Sequence, residues 1–207
     1  MIVAKSLNYT LSGKRAGKIP SYLVHEVLDG EPVYYKGYRE VLAGARTLEE
    51  IIGSSTLQTA IVEYLLGACF SSRFRKRYRI ITNEGGLHLD KRNNLAGDIE
   101  LFDPAKLPVS TADLHYATVP PEIHLEVDVN TEMEHFTDEQ YIAKKTTKLL
   151  EFGVKKVIWI LSSSKTIIIA ARDADRQVVD WAEDVEVADG ILINVGRYLK
   201  EQGSPFA

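Results

Sequence analysis

The segment that most constrains the fold of this chain runs from residue 120 to 161 and has the pattern strand, helix, strand. In its first part, apolar residues at alternate positions are separated by His124, Glu126 and Asp128. A period of two places the apolar side chains on one face of a strand and the ionisable ones on the other. The run 157–161 is apolar at nearly every position, which indicates a sheet covered on both faces. Carboxylates in such a sheet need a cation, because an unpaired buried charge is costly.

The helix between these strands carries a lysine within its apolar stripe. At about 100° per residue, the stripe of the helix contains Ile142, Thr146, Leu149, Leu150 and Phe152. Lys145 falls between Ile142 and Leu149, whereas Lys144 and Lys148 lie progressively toward the polar side. The Lys145 ammonium therefore points either toward the carboxylates of the sheet or past its apolar neighbours into water.

A second carboxylate strand precedes this segment. Over residues 97–103, Ile99 and Leu101 face one way, and Asp98 and Glu100 face the other. Like-charged faces on adjacent strands repel each other unless something positive lies between them. The recurrence of the pattern on two strands therefore predicts a shared cation site.

Length and composition limit the class of protein. The chain has 207 residues, 45% of them apolar, which suffices for one substantial core. A net charge of -4 excludes a generally basic nucleic-acid coat protein, although it allows a local basic patch. The single cysteine, Cys69, excludes a disulfide framework and fits a reducing compartment. Without a leader pattern or a long apolar run, the expectation is a cytoplasmic protein with no membrane partner.

Other segments predict the elements around this centre. Asp29-Gly30 between the runs 22–28 and 31–35 predicts a β-hairpin, because this dipeptide supplies the positive φ angles of a tight turn. A helix is expected over 57–70. We expect an N-terminal arm over 1–21, one main domain over 22–195 and a tail over 196–207. The polar connection 104–121 is the expected place for an insertion or a flap.

The densest basic run, R-F-R-K-R-Y-R, occupies 73–79 and leads into a predicted strand, 78–82, followed by a turn at 83–86 and a short strand at 87–89. Basic residues interleaved with aromatic ones suit phosphate contacts and base stacking. The candidate nucleic-acid contacts are Arg73, Arg75, Lys76 and Arg77. A solvated junction between a loop and a strand explains the same run.

The order of these motifs resembles the bacterial Uma family of restriction endonuclease-like proteins, members of the PD-(D/E)XK nuclease superfamily. The resemblance rests on the D-G hairpin, the motifs G-D-I-E-L-F and P-P-E-I-H-L-E-V, and the spacing from Lys145 to Gly153-Val154 and Trp159. It spans roughly 22–195. It implies an α/β fold of the mixed α+β kind, in which a central mixed β-sheet is flanked by helices.

The resemblance also implies a site and a reaction. Asp98 and Glu126, with the Val127 carbonyl, would bind Mg²⁺ or Mn²⁺, as one or two ions, and Lys145 would be the catalytic lysine, displaced onto the helix as in this family. The implied function is metal-dependent hydrolysis of phosphodiester bonds in nucleic acid, with DNA as the first expectation. Cleavage of a duplex calls for two active sites, so a homodimer is a further expectation.

The chain departs from the family pattern at three positions. Gly97 replaces a proline, which is expected to alter only backbone stiffness, and Gln58 stands where relatives often have a histidine. Asp128 is an added acid that either ligates the metal or marks a site that has drifted. Glu100 is expected to support the metal ligands or bind a second ion. His124 is either such a group or a hydrogen-bonded surface histidine.

Two other functions fit the residues. A binding or interaction protein could keep the nuclease fold without turnover, as the acidic charge and Asp128 suggest. A metal enzyme that acts on a small phosphorylated substrate fits the weak basicity, although the sequence has no glycine-rich phosphate loop. A positive band across the carboxylate pocket favours nucleic acid, and its absence favours the alternatives.

Overall fold

A nine-stranded mixed β-sheet organises the protein, whose computed structural model describes residues 19–70 and 75–207. Its strands, in chain order, are β1 (Val24–Leu28), β2 (Glu31–Tyr35), β3 (Arg79–Asp90), β4 (Asn93–Phe102), β5 (Ile123–Val127), β6 (Thr131–Glu132), β7 (Lys156–Leu161), β8 (Thr166–Ala171) and β9 (Ala174–Asp180). A separate hairpin consists of β10 (Val185–Ala188) and β11 (Ile191–Ile193). The α-helices are α1 (Tyr38–Leu42), α2 (Thr56–Cys69), α3 (Asp138–Phe152) and α4 (Val195–Glu201).

The strand order is β6-β2-β1-β4-β5-β7-β8-β9, and β3 pairs with β4 beside this path. Strands β5 and β7 are parallel and are joined by α3, whereas the other paired strands of the sheet are antiparallel. A parallel pair needs such a crossover connection, which the predicted strand–helix–strand segment supplies. The predicted fold class, a mixed sheet flanked by helices with an N-terminal hairpin, is confirmed.

Helix α3 is fixed at both ends by local sequence. Thr137 forms a capping box with Gln140: its hydroxyl accepts from the Gln140 backbone N–H, and the Gln140 side chain accepts from the Thr137 backbone N–H. Gly153 ends the helix with a φ of 126°, a conformation that residues with a Cβ rarely adopt. These two caps fix where the helix that carries Lys145 begins and ends.

The sheet separates two apolar cores. One face packs on α2, α4 and the β10–β11 hairpin through residues such as Ile99 and Leu125. The other face packs on α3 through residues such as Phe102 and Trp159. All five residues of β5 are buried, which agrees with the prediction of a sheet covered on both sides. The ionisable side chains of β4 and β5 therefore lie on the face toward α3.

Three predicted boundaries are wrong for local reasons. The expected turn at 83–86 is a bulge inside one long strand, β3, where Asn83 and Glu84 take positive φ angles while pairing with β4 continues. Strand β5 ends at Val127, because Asp128 adopts a φ of 64°, although its N–H still donates to the Ile160 carbonyl at 2.8 Å. The second carboxylate strand, expected over 97–103, begins at Asn93 in the structure, because its pairing with β3 extends that far.

The Asp29-Gly30 hairpin is present, with φ angles of 56° and 82°. Residues 1–18 of the predicted N-terminal arm lie outside the described residues. Within 19–70 and 75–207, every helix is too short or too polar to cross a membrane.

Candidate active site

A pocket of about 50 Å³ opens where β4, β5 and α3 approach one another, and Asp98, Glu126 and Lys145 all line it. The antiparallel register of β4 and β5 pairs Glu100 with His124, so the ionisable residues of both strands share one face. A cavity of about 10–15 Å³ holds one water molecule. The pocket therefore has room for an ion and a few waters.

Asp98 is held by the backbone of the neighbouring strand. Its Oδ2 accepts a hydrogen bond from the Val127 N–H at 2.7 Å. Burial, together with the negative charge of Glu126, raises the pKa of Asp98 to about 7, although the Val127 amide acts in the opposite direction. A cation bound beside this acid would favour its ionised form at neutral pH.

Glu126 is held as a carboxylate by two cations. Its Oε1 lies 2.6 Å from Lys145 Nζ and 2.6 Å from His124 Nε2. Burial acts to raise the pKa of Glu126, but Lys145 and His124 more than offset it and lower this pKa below its usual value. Glu126 is therefore a fixed negative charge at the floor of the pocket.

Lys145 points into the protein, and only 1% of its surface is exposed. Its Nζ donates to Glu26 Oε1 at 2.6 Å and to the Ala96 carbonyl at 2.8 Å, in addition to its contact with Glu126. Burial lowers the pKa of Lys145, but the two carboxylates dominate and raise it well above its usual value. Of the two orientations that the sequence left open, the structure has the one directed toward the sheet.

Glu26 is a residue of the site that sequence reasoning missed. It lies on β1 and is 2% exposed. Besides Lys145, its Oε1 accepts from the Ala96 N–H at 2.7 Å, and its Oε2 accepts from the Tyr141 hydroxyl at 2.6 Å. The only signal in the sequence was that Glu26 is a single acid in a strand, which the hairpin turn predicts to be half-buried. Its partner, Lys145, lies 119 residues away in sequence.

His124 is fully buried, so the reading of it as a surface histidine is wrong. It lies between two carboxylates, with Nε2 bound to Glu126 and Nδ1 3.5 Å from Glu100 Oε1. Burial lowers the pKa of His124, but Glu126 and Glu100 outweigh it and raise this pKa to about 9. Glu100 is 1% exposed, and burial raises its pKa. Gly97 makes room for the histidine, because a Cβ there would overlap the His124 ring. The absence of a side chain at Gly97 thus has a packing reason beyond backbone stiffness.

Gln58 orients the backbone carbonyl that the resemblance assigns to the metal. Its Nε2 donates to Val127 O at 3.0 Å, and its Oε1 accepts from the Asn130 amide. A carbonyl oxygen has two lone pairs, so Val127 O can accept a second bond beside that from Gln58. The residue at the family's histidine position therefore has a defined contact in this chain.

Asp128 lies at the edge of the pocket with both carboxylate oxygens bound to Ser162. Oδ1 accepts from the Ser162 backbone N–H at 2.6 Å, and Oδ2 accepts from the Ser162 hydroxyl at 2.8 Å. These bonds tie the end of β5 to the turn between β7 and β8. In this conformation Asp128 supports the backbone next to the site.

The basic run lies apart from the pocket. Arg73 is outside the described residues, whereas Arg75, Lys76 and Arg77 are exposed, and none of these three lines the pocket. Arg77 Nε forms an ion pair with Asp189 Oδ2 at 2.9 Å. Among the described residues that line the pocket, the basic side chains are those of Lys145 and His25. The described lining of the pocket thus has no positive band across the carboxylates.

The acids outnumber the bases in and behind the pocket. Apart from Asp128, whose carboxylate is bound to Ser162 at the edge of the pocket, the acids are Glu26, Asp98, Glu100 and Glu126, and the bases are Lys145 and His124. If all are ionised, four acids against two bases leave two net negative charges. His25 and Glu84 form a further ion pair, with Nε2 and Oε1 3.8 Å apart, which adds no net charge when both are ionised. One divalent cation would balance the cluster.

The residues present fit such a cation. The donors are the oxygens of Asp98, Glu126 and the Val127 carbonyl, which suit a hard ion such as Mg²⁺ or Mn²⁺. In the ranges 19–70 and 75–207, no three or more histidine, cysteine, aspartate or glutamate side chains are grouped so as to hold a metal by themselves. The carbonyl and water would therefore have to complete the coordination, as Mg²⁺ commonly allows.

Comparison with known proteins supports the fold. No protein-family model matches this sequence, and no match was found among curated proteins. Among solved structures, the chain is similar to the crystal structure of "a putative nuclease belonging to DUF820" from Anabaena variabilis ATCC 29413, with a TM-score of 0.57 and 12% sequence identity. The match covers 71% of this chain and 82% of that one. At this identity the likeness shows a shared fold.

Proposed function

We propose that this protein is a divalent metal-dependent nuclease that hydrolyses phosphodiester bonds in nucleic acid, and that it belongs to the Uma family. The observation that carries the proposal is the meeting of Asp98, Glu126 and Lys145 in one pocket, on a fold shared with a protein described as a nuclease. A fold alone does not imply a function, so the site is the stronger argument.

Asp98, Glu126 and the Val127 carbonyl would hold the ion. When bound, Mg²⁺ or Mn²⁺ supplies a water of lowered pKa and offsets negative charge on the scissile phosphate. Around it, the chain fixes the ligands: the Val127 N–H holds Asp98, and Lys145 and His124 hold Glu126. Such preorganisation avoids the cost of arranging these groups during the reaction.

Lys145 acts first as a positioning residue for Glu126. Its raised pKa keeps its proton in place, which argues against a role as a base. Its Nζ lies within hydrogen-bond distance of Glu26, Glu126, the Ala96 carbonyl and the Tyr141 hydroxyl, so contact with a phosphate requires that one of these bonds be exchanged. Its positive charge can still stabilise negative charge that develops on the phosphate.

DNA is the proposed substrate, with a homodimer as the form that cuts both strands. The exposed residues Arg75 and Lys76 would contact phosphates at a distance from the pocket. One observation favours a second candidate, a nuclease-fold binding protein without turnover: the described pocket lining has no positive band, and Lys145 is neutralised by two acids.

A plasmid-nicking assay tests the proposal. The wild-type protein should nick supercoiled plasmid with Mg²⁺ or Mn²⁺ and not with EDTA. Asp98→Ala should reduce the rate by about 100-fold or more, whereas Asp175→Ala, which removes an exposed aspartate from β9, should not. Nicking that survives Asp98→Ala would identify a contaminating nuclease and refute the mechanism. Metal-independent binding of DNA without any nicking would favour the binding protein.

A further inference from the structure

A second pair of ionisable residues, His25 and Glu84, lines the pocket that contains Asp98 and Glu126. His25 lies on β1 and Glu84 on β3, and both strands pair with β4, the strand that carries Asp98. The cavity of about 50 Å³ has room for little beyond an ion and a few waters, so a group on its wall lies close to whatever binds there. Neither residue of the pair takes part in the proposed metal site.

A bulge in β3 places Glu84 on the wall of the pocket. Pairing of β3 with β4 skips the two residues between Thr82 and Gly85, and Asp98 is the residue of β4 opposite them. The two skipped residues have φ angles of 69° and 55°, which side chains with a Cβ rarely adopt. The Thr82 hydroxyl ties the bulge to β4, because it donates to the Asp98 carbonyl at 2.9 Å. Bulges beside active sites re-aim side chains, and this one aims a carboxylate at His25.

His25 lies between two carboxylates. Its Nε2 is 3.8 Å from Glu84 Oε1, and its Nδ1 is 3.9 Å from Glu26 Oε1. The ring packs edge-on against Tyr35, with the ring centroids 4.8 Å apart, and Lys145 on α3 is the nearby positive charge. Burial and Lys145 lower the pKa of His25, but the two carboxylates outweigh them and raise this pKa above its usual value. The imidazolium form is therefore favoured near neutral pH.

The two ring nitrogens of His25 differ in what they can reach. Nδ1 is buried and has no hydrogen-bond partner within residues 19–70 and 75–207. Nε2 faces Glu84, whose side chain is half exposed, and their separation of 3.8 Å is longer than a hydrogen bond. The Nε2 proton can therefore turn to an oxygen of a bound substrate without breaking a bond, while the carboxylate beside it stabilises the ring.

The other proton donors on the described wall of the pocket are committed. Despite its burial, two carboxylates hold the pKa of Lys145 well above its usual value. Burial also raises the pKa of the Tyr35 and Tyr141 hydroxyls. Asp98, as a proposed metal ligand, loses its proton when the ion binds. Of the described groups in this lining, His25 is therefore the one that can give up a proton near neutral pH.

We propose that His25 is a catalytic residue whose Nε2 proton passes to the leaving oxygen of the scissile phosphodiester, and that Glu84 positions its ring. The inference rests on the proposed nuclease function and deepens it. In this step, a water oxygen forms a bond to phosphorus and releases a proton to solvent, while the bond from phosphorus to the leaving oxygen breaks. The leaving oxygen keeps the electron pair and takes the His25 proton, and the neutral imidazole regains a proton from solvent.

A change of leaving group tests this step. The wild type and His25→Gln are compared, with Mg²⁺, on supercoiled plasmid and on bis(4-nitrophenyl) phosphate. Plasmid releases an alkoxide, which needs a proton, whereas the ester releases 4-nitrophenolate, which leaves without one. His25→Gln should nick plasmid about 100-fold more slowly, and its rate on the ester should equal that of the wild type. The control His115→Gln, which removes an exposed histidine 3.4 Å from Asp113, should match the wild type on both substrates.

Proton NMR in EDTA gives a readout that does not depend on activity. The His25 ring signal, assigned as the histidine signal missing from His25→Gln, should titrate above the usual value of 6.5 in the wild type. Glu84→Gln should move this titration to lower pH, because one of the two carboxylates that stabilise the imidazolium loses its charge. A wild-type midpoint at or below 6.5 would overturn the inference.

Equal losses on plasmid and ester, or unchanged nicking by His25→Gln, would also overturn the inference and leave the nuclease proposal standing. If circular dichroism shows that His25→Gln does not fold, Glu84→Gln, at a half-exposed position, replaces it. This variant should nick plasmid several-fold more slowly and keep the wild-type rate on the ester. A wild type that hydrolyses neither substrate would refute the nuclease proposal, and the role of His25 with it.

Discussion

Replacement of Lys145 by methionine should destabilise the protein severely. The change keeps an unbranched side chain of similar length but removes the ammonium that pairs with Glu26 and Glu126 at 2.6 Å each. Removing one partner of a buried ion pair typically costs about 3–5 kcal/mol, because the remaining charge stays buried without compensation. With two carboxylates left unpaired, the upper half of this range is expected.

Urea unfolding followed by tryptophan fluorescence measures this loss. Trp159 is a suitable probe, because it is buried and lies 5.7 Å from the Lys145 ammonium. With a denaturant slope of about 2 kcal/mol per molar, the midpoint should fall by roughly 2 M. The matched control is Lys144→Met on the same helix, whose side chain is 41% exposed and lies 3.4 Å from Asp29.

The control should lose less than about 1 kcal/mol, as is usual for surface ion pairs. Equal losses for Lys144→Met and Lys145→Met would refute the view that Lys145 is the central cation of a buried network. A fall in the slope without a fall in the midpoint would instead indicate an altered unfolded state.

Three further predictions concern the surroundings of Lys145. Gly97→Ala should cost about 1–3 kcal/mol in urea unfolding, because its Cβ overlaps the His124 ring, whereas Gly53→Ala, with open space around it, should change stability little. In EDTA, the free energy of unfolding of the wild type should fall by a few kcal/mol as the pH rises from the usual aspartate pKa of 3.8 to about 7. Through this window the folded state holds the Asp98 proton and the unfolded state does not. Asp98→Asn should make that fall smaller, because Glu100, whose pKa burial also raises, still contributes to it, and an unchanged pH profile would contradict the raised pKa of Asp98. Asp128→Ala should cost about 1–3 kcal/mol in urea unfolding, because the Ser162 backbone N–H loses its acceptor. In calorimetry, Asp128→Ala should lose less Mn²⁺ affinity than Asp98→Ala. Equal losses of affinity would make Asp128 a ligand.

Local periodicity predicted the parts of the site that depend on one element at a time. The alternation on β4 and β5 placed Asp98 and Glu126 on one face, and the helical stripe singled out Lys145. The T-x-x-Q pattern at Thr137 and the glycine at 153 fix the ends of the helix that carries this lysine. These features follow from residues within a few positions of one another, which a single sequence displays.

Features that depend on distant pairs escaped prediction. Glu26 and Lys145 are 119 residues apart, and no local pattern links them. The sequence left a surface position open for His124, but pairing of β5 with both β4 and β7 buries it completely. Asp128 continues the alternation of β5 in sequence, yet its positive φ takes it out of the strand. For His124 tertiary pairing overrode the local pattern, whereas for Asp128 the local backbone conformation did.

The buried network explains why a negative site can be built inside an apolar sheet. Glu26 receives three hydrogen bonds, from Lys145, Ala96 and Tyr141, so its charge is satisfied without a metal ion. Glu126 shares the same lysine and a protonated His124. Asp98 has a single backbone donor, and its pKa is raised. Of these three acids, Asp98 is therefore the one whose ionisation a divalent cation would favour most, and binding of Mn²⁺ should release a proton between the usual aspartate pKa and about 7. Calorimetry in buffers of different ionisation enthalpy measures that release, and its absence in the wild type would show that the ion binds elsewhere.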